Sequence, residues 1–331
     1  MLSAHVLKRQ LSSQVKRCVL KKNSANPFEA FEVQVGDIAS SPSLQQGEVR
    51  TRFLSSVVTH RDLFRMRNGA PGSVAGDSAL LEVVETGKGS KLVPGDRVQS
   101  IGQAGVWQSE PVVGEAHLLK VQPQVTKENF GEYLATAQAF ALLKNQGLEP
   151  YDEVAVTDAQ SALGSAMCLV GKQMGLKVLG VVSLSYDNEQ SLKRLKACGA
   201  EASVVAEFEK QVQYVGSAAF RRLLADWNGL KVVVSADGGL LANELARHMA
   251  PKGKLVVVGG APITLPASLF AYKQITVSGP NKPDAEDYAN AAQLVAKLTP
   301  AQKLKSAEFD FSEVYKAVDA FGLGPVSILK A

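Results

Sequence analysis

Residues 153–182 read EVAVTDAQSALGSAMCLVGKQMGLKVLGVV, and this stretch decides the fold. Val154, Ala155 and Val156 make a short apolar, largely β-branched run, the pattern of a buried parallel strand. From Ser161 to Gly175, small and apolar residues recur at helical spacing (Ala162, Leu163, Ala166, Leu169, Val170, Met174), and Gly175 stands where a helix ends. Lys177 to Val182 is a second buried strand. Strand, turn, helix and strand make one βαβ unit of a dinucleotide-binding sheet, and its turn should face a pyrophosphate. Backbone N–H groups and the helix N-terminus do the binding there, so the side chains must be small. The turn runs Thr157-Asp158-Ala159-Gln160-Ser161-Ala162-Leu163-Gly164. Gly164 is in place, but Ala162 stands where a glycine lets the phosphate come closest, and Asp158 adds a carboxylate beside the anion's seat. Two readings stay open: a working cofactor turn, and a βαβ unit that kept its packing and lost its ligand.

With 331 residues, 46% hydrophobic and 21% charged, the chain can bury a sizeable core in two domains or one large one. The net charge of +4 is modest, and much of it sits in the first 22 residues, which argues against a nucleic-acid surface spread over the fold. Cys18, Cys168 and Cys198 show no metal spacing and read as reduced thiols, Cys168 as a packing residue on its apolar helix. No run of about 18 uncharged apolar residues exists to span a membrane. The first segment carries Lys8, Arg9, Lys16, Arg17, Lys21 and Lys22 and no acid before Glu29. Leu2, Val6, Leu7, Leu11, Val15 and Leu20 can form one apolar stripe on a helix. Residues 1–25 therefore read as a mitochondrial targeting segment, with a retained basic anchor as the alternative.

Short strands follow: Ala30 to Val35, Glu48 to Val58 (with Val49, Phe53 and Val57 as core candidates), Ser78 to Val84, and one after the turn Val93-Pro94-Gly95-Asp96. Asp62 to Gly72 is a short helix or turn. Such spacing suggests a partly open β-barrel. From Phe130 the pattern changes. Helices over Glu132–Asn145, Gln190–Cys198, Ala218–Trp227 and Leu240–Met249 alternate with strands over Ala202–Val205, Lys231–Ser235 and Lys254–Val258. That alternation implies a doubly wound parallel sheet. A helix over Asp284–Leu298 and the end of the chain are expected to return to the barrel.

This order resembles the medium-chain dehydrogenase/reductase superfamily, in its zinc-free branch, and most of all the mitochondrial 2-enoyl thioester reductases. The segments that carry the resemblance are Val93-Pro94-Gly95-Asp96-Arg97-Val98, Val106-Trp107-Gln108-Ser109-Glu110, Ser161-Ala162-Leu163-Gly164, Asp237-Gly238-Gly239 and Val258-Gly259-Gly260. It implies a GroES-like barrel domain over residues 26–128 and 280–331 and a Rossmann-type domain over 129–279. It also implies NADPH as hydride donor and a tyrosine of the barrel domain assisting proton delivery, a few residues past an Asn-Pro-Ser-Asp stretch. Here that stretch matches Thr59-His60-Arg61-Asp62, and the following FRMRNGAPGS, Phe64 to Ser73, holds no tyrosine. His60 is the titratable group next to it, and a satisfied or solvated histidine is the commoner case.

The cofactor side departs in parallel. Where the resemblance implies a 2′-phosphate-binding arginine, the chain has Ser183-Leu184-Ser185, while Lys193 and Arg194 read as solvated helix charges. Gly279-Pro280-Asn281-Lys282 replaces an aromatic wall at the nicotinamide, and Ala135-Thr136-Ala137-Gln138-Ala139 replaces an Asn-Pro-x-Thr-Ala stretch. Each lost charged hydrogen bond costs about 1.5–3 kcal/mol, so two losses together with the Cβ of Ala162 weaken binding on the order of a thousandfold. The expectation is a degenerate, non-catalytic member: no catalytic residue, no metal, and no cofactor required. A vestigial dinucleotide site is expected at Ser161, Ala162, Leu163, Gly164, Ser183, Val258, Gly259 and Gly260. NADPH or NADH remains the ligand if the site is kept. The partners expected are protein subunits of a mitochondrial assembly, with room for a homodimer, on the matrix side. The alternative is an active NAD(P)H-dependent enoyl thioester or quinone reductase with an atypical site.

Overall fold

The computed structural model describes residues 14–37, 43–102, 105–183, 188–206, 218–236, 238–259, 262–304, 306–321 and 327–330. The chain divides into two compact units, one built from residues 1–121 with 308–321 and 327–331, the other from 122–307 with 322–326. No helix among the described residues is long and apolar enough to cross a membrane.

The first unit contains β1 (Gln14–Leu20), α1 (Pro27–Ala30), β2 (Phe31–Asp37), β3 (Glu48–Val57), α2 (His60–Asn68), β4 (Ala79–Thr86), β5 (Arg97–Ser100), β6 (Val112–Gly114) and β7 (Leu118–Lys120). β3 pairs antiparallel with β4 and β6, β4 with β5, and β5 with β7. Alternation along β3 turns Val49 and Phe53 into the core, where they meet Leu81, Val98, Val113 and the fully buried Trp107. The indole Nε1 donates to Ser56 Oγ at 2.8 Å, so the one polar atom of that side chain is satisfied.

Two expectations change here. The apolar stripe proposed along one helix from Leu2 to Leu20 does not hold through its second half, because Gln14–Leu20 is a strand. It pairs with β2 over seven residues, and Cys18, Val19 and Leu20 are buried. Non-local backbone bonds override the helical spacing: Cys18 N–H to the Trp107 carbonyl and Leu20 N–H to the Ser73 carbonyl, both 2.9 Å. Residues 1–13 lie outside the described residues. The return to the first unit also comes later than residue 280. α9 (Ala285–Val295) packs on α3 (Phe130–Lys144) in the second unit, where Lys144 Nζ reaches Asp284 at 2.8 Å and Glu286 at 3.0 Å.

α2 is held by a capping box in which Thr59 Oγ1 accepts from Asp62 N–H and Asp62 Oδ2 accepts from Thr59 N–H. Asp62 Oδ1 also accepts from Asp77 N–H at 3.2 Å. Burial outweighs these bonds and pushes the Asp62 carboxyl up to about 6. A value raised above that of the unfolded chain stabilises the fold below about pH 4 and loses that contribution as pH rises through about 6. Comparing the chain with Asp62→Asn by denaturant unfolding from pH 4 to 7, the unaltered chain should lose up to about 3 kcal/mol relative to the variant. A difference independent of pH would contradict this account of the carboxyl.

The second unit adds β8 (Glu153–Val156), α4 (Ala162–Gln173), β9 (Lys177–Ser183), α5 (Asn188–Cys198), β10 (Ala202–Ala206), α6 (Ala218–Ala225), β11 (Leu230–Ser235), α7 (Gly239–Arg247), β12 (Met249–Val257), α8 (Ala267–Lys273) and β13 (Thr276–Ser278). All its strand pairs are parallel, in the order β10-β9-β8-β11-β12-β13. Counted from β8 this is the order 3-2-1-4-5-6, the doubly wound arrangement whose switch point lies between β8 and β11. The strands are buried on both faces: Val154, Val178, Val232 and Val256 join one cluster with α4, while Ala155, Leu179, Val233 and Leu255 join another with α7.

Candidate functional site

The switch point opens at the carboxyl ends of β8 and β11. Thr157 N–H donates to the Val234 carbonyl at 3.0 Å, and Thr157 Oγ1 accepts from Ala236 N–H at 2.9 Å, so the two strand ends are tied together. Asp158 then takes a left-handed conformation, φ +51°, one that aspartate adopts more readily than most residues. Ala159 N–H donates to the Val181 carbonyl at 2.9 Å, fastening the turn to β9.

Ser161 caps α4. Its side chain accepts from Gly164 N–H at 3.1 Å, and its carbonyl accepts from Ser165 N–H at 3.0 Å. The N–H groups of Ala162 and Leu163 are the remaining first-turn donors, and they find no protein acceptor among the described residues. A helix start with two unspent donors and a positive dipole end is suited to a phosphate. Gly164 has a different task from letting the ligand approach. A Cβ there would stand 2.4 Å from Ala159 Cα and 2.6 Å from the Asp158 carbonyl oxygen, so the missing side chain lets α4 press on the turn.

The structure thus brings Ser161, Ala162, Leu163 and Gly164 together at one helix start. Val258 and Gly259 follow β12, with Val258 N–H donating to the Ser235 carbonyl at 2.9 Å. Ser183 ends β9 by its backbone. The side chains of Ser183 and His60, and all of Gly260, Leu184 and Ser185, lie outside the described residues. Gln138 and Asn281, from the two stretches that depart from the resemblance, meet: Gln138 Nε2 donates to the Asn281 carbonyl at 2.7 Å.

Arg194 is a correction. Lys193 is a solvated charge, paired with Glu189 at 2.6 Å, but its neighbour is not. Arg194 is half-buried, donates through Nη2 to the Gln160 carbonyl, and keeps a buried Nε with no partner among the described residues. Its spacing held the signal: it lies three residues after the buried Ser191 and four before the buried Cys198.

In the first unit, the stretch that the resemblance links to proton delivery forms the end of α2 and the loop after it. It walls a cavity of 240 Å³ together with Leu20 and Phe31, and Asp62, Met66, Gly69 and Ala70 face that space. The polar groups here serve structure. Asp62 caps the helix, Arg61 and Arg65 lie 2.8 and 2.9 Å from the Asp77 carboxylate, Asn68 donates to the Phe64 carbonyl, and Ser73 Oγ donates to the Ala70 carbonyl.

No family model matches the chain. Among curated proteins, the mitochondrial enoyl-[acyl-carrier-protein] reductase of Dictyostelium discoideum is 31% identical over 276 residues, covering 80% of this chain and 77% of that protein. An NADPH quinone oxidoreductase of Kluyveromyces marxianus is 24% identical over 273 residues, 74% of this chain and 70% of the relative. Of solved structures, a mitochondrial 2-enoyl thioester reductase heterodimer from Candida tropicalis superposes with a TM-score of 0.78 at 20% identity, over 96% of this chain and 100% of that one. That likeness fixes the fold: a GroES-like unit and a Rossmann-type unit. On the sequence match, the chain belongs to the enoyl-[acyl-carrier-protein] reductase family of the medium-chain dehydrogenase/reductase superfamily.

Proposed function

We propose that this chain is a non-catalytic member of its family, a mitochondrial protein whose folded surface is what it contributes to a larger assembly. The observation that carries the reading is the stretch from Asp62 to Ser73. Among its described side chains, Asp62 is the one group able to give up a proton near neutrality, and its oxygens are spent on the cap and on Asp77 N–H. Positioned proton transfer contributes about 10²–10⁴-fold to a rate, and no side chain of that stretch is free to supply it. The basic, acid-free first 22 residues and the mitochondrial relatives support a mitochondrial location, on the matrix side. A respiratory-chain complex is the first host to test and the mitochondrial ribosome the second.

Native gel electrophoresis of mitochondria carrying the tagged chain tests this role. Migration in a particle several times the mass of a dimer is expected. Migration at the monomer or dimer position alone would overturn it.

A second reading has its own observation. The unspent N–H groups of Ala162 and Leu163, with Arg194 behind the turn, favour retained binding of NADPH or NADH without turnover. Such a nucleotide would act as a structural ligand or a signal, stabilising the folded chain by mass action. An active enoyl thioester or quinone reductase is the remaining alternative, and it requires a proton donor from outside the stretch described.

A further inference from the structure

β2 has one partner strand and one bare edge. Its register with β1, from Gln14 opposite Asp37 to Leu20 opposite Phe31, runs without a bulge, and the sheet consists of these two strands among the described residues. The bonds on the far side of β1 show which way each residue of β2 turns its backbone. Cys18 N–H donates to the Trp107 carbonyl and Leu20 N–H to the Ser73 carbonyl, while the Lys16, Cys18 and Leu20 carbonyls accept from Ser109, Ala75 and Gly72. Lys16, Cys18 and Leu20 therefore face away from β2, and Val15, Arg17 and Val19 face it. In an antiparallel ladder, two opposite residues either both bond across or both point outward. So Glu32, Gln34 and Gly36 bond to β1, and Val33 and Val35 present their N–H and C=O groups to the outside. No backbone partner meets those groups among the described residues.

A strand edge of this kind is a template for another strand, and proteins usually blunt it with proline, lysine, a bulge or short length. FEVQVGD has none of these devices over its seven residues. Val35 is 55% exposed, and Val33 on the same face is half-buried. Glu32 and Gln34, on the other face, are both exposed. Glu32 accepts from Gln34 Nε2 at 3.4 Å and has no cation in ion-pair range among the described residues. The strand ends in a second acid, Asp37, and holds no base. Pairing two copies of this edge would add acid to acid, whereas a basic segment complements it.

We propose that β2 is a docking edge, at which an extended segment of a neighbouring subunit adds a third strand to the sheet of β1 and β2. The edge sets the chemistry of that segment: unspent backbone N–H and C=O groups where it meets Val33 and Val35, apolar side chains beside those two valines, and Lys or Arg opposite Glu32. Main-chain bonds supply the affinity and the alternating side chains the specificity. The inference rests on the assembly reading above and deepens it, by naming the surface and the kind of partner.

Val35→Pro tests the edge at little cost to the fold. Proline deletes an N–H that points outward, leaves the bonds to β1 in place, and follows a residue, Gln34, that is already extended. In native gels of mitochondria, tagged Val35→Pro should be retained in the large particle about tenfold less than the unaltered chain, the effect of one lost backbone hydrogen bond. Its melting temperature should not change. Glu32→Lys should also weaken retention, since it turns attraction to the partner's cation into repulsion. Hydrogen exchange of the unaltered chain reads the same edge without a substitution, and it decides the matter if Val35→Pro melts lower. The amides of Val33 and Val35 should exchange at least about tenfold more slowly in the particle than in the free chain. A particle that keeps either variant as well as the unaltered chain, or that leaves both amides unprotected, would overturn the inference while the assembly reading stands. A dimer of the purified chain that Val35→Pro dissolves would overturn it in favour of a second copy. Migration of the unaltered chain at the monomer or dimer position alone would overturn the inference together with the reading beneath it.

Discussion

A chain beginning at Lys21 should be less stable by about 5 kcal/mol or more than one beginning at Gln14, a loss comparable to the whole stability of many domains. The difference between the two is β1. The truncation removes the buried Val19 and Leu20 from the core, side chains each worth about 1.5–3 kcal/mol when fully buried. It also strips β2 of its seven-residue partner. The loop after α2 and the segment at Trp107 lose their anchors as well, because Gly72, Ala75 and Ser109 donate to the Leu20, Cys18 and Lys16 carbonyls. Denaturant unfolding of the two truncated chains measures this directly. Equal midpoints would mean that β1 is dispensable. The expected result also bounds proteolytic processing: a cut that leaves the first unit intact falls before Gln14.

Gly164→Val should cost more than about 3 kcal/mol, at the upper end of what overpacking produces. The atoms in the way are backbone: Ala159 Cα at 2.4 Å, the Asp158 carbonyl oxygen at 2.6 Å and Ala159 C at 2.7 Å from the first added carbon. Backbone cannot rotate aside, so either α4 lifts from β8 or the turn moves, and both displace the donors of Ala162 and Leu163. Valine is the better helix former of the two residues, so propensity cannot be blamed for the loss. Thermal unfolding reads the effect, and an unchanged transition would show that α4 does not press on the turn.

How much of this was readable beforehand depended on whether the signal was local. The Val93-Pro94-Gly95-Asp96 turn and its echo Leu148-Glu149-Pro150-Tyr151-Asp152 are alike in space. Gly95 and Tyr151 both take positive φ, +93° and +71°. Asp96 and Asp152 both accept from the residue three before, at 3.1 and 2.8 Å. The Val-rich strands of the parallel sheet announced themselves for the same reason: a strand buried on both faces has nothing but apolar residues to show.

β1 was missed because QVKRCVL alternates poorly and carries its charges together, and what makes it a strand lies 11 to 89 residues away in β2 and at Trp107. The unspent donors at the start of α4 were expected from the turn pattern. The Gly164 contact was not, since spacing names the glycine without saying which side it clears. Arg194 was misread beside Lys193, although neighbouring helix positions point about 100° apart and its spacing to Ser191 and Cys198 set it on the inner face.

The central claim is that the fold persists while the proton-delivering chemistry does not. The most direct measurement is NADPH consumption by the full chain presented with a short 2-enoyl thioester, followed against the same mixture without protein. The account predicts no turnover above that background, whether or not the nucleotide binds. Sustained NADPH oxidation with formation of the saturated thioester, abolished by Gly164→Val, would contradict it and return the chain to the active reductases of its family.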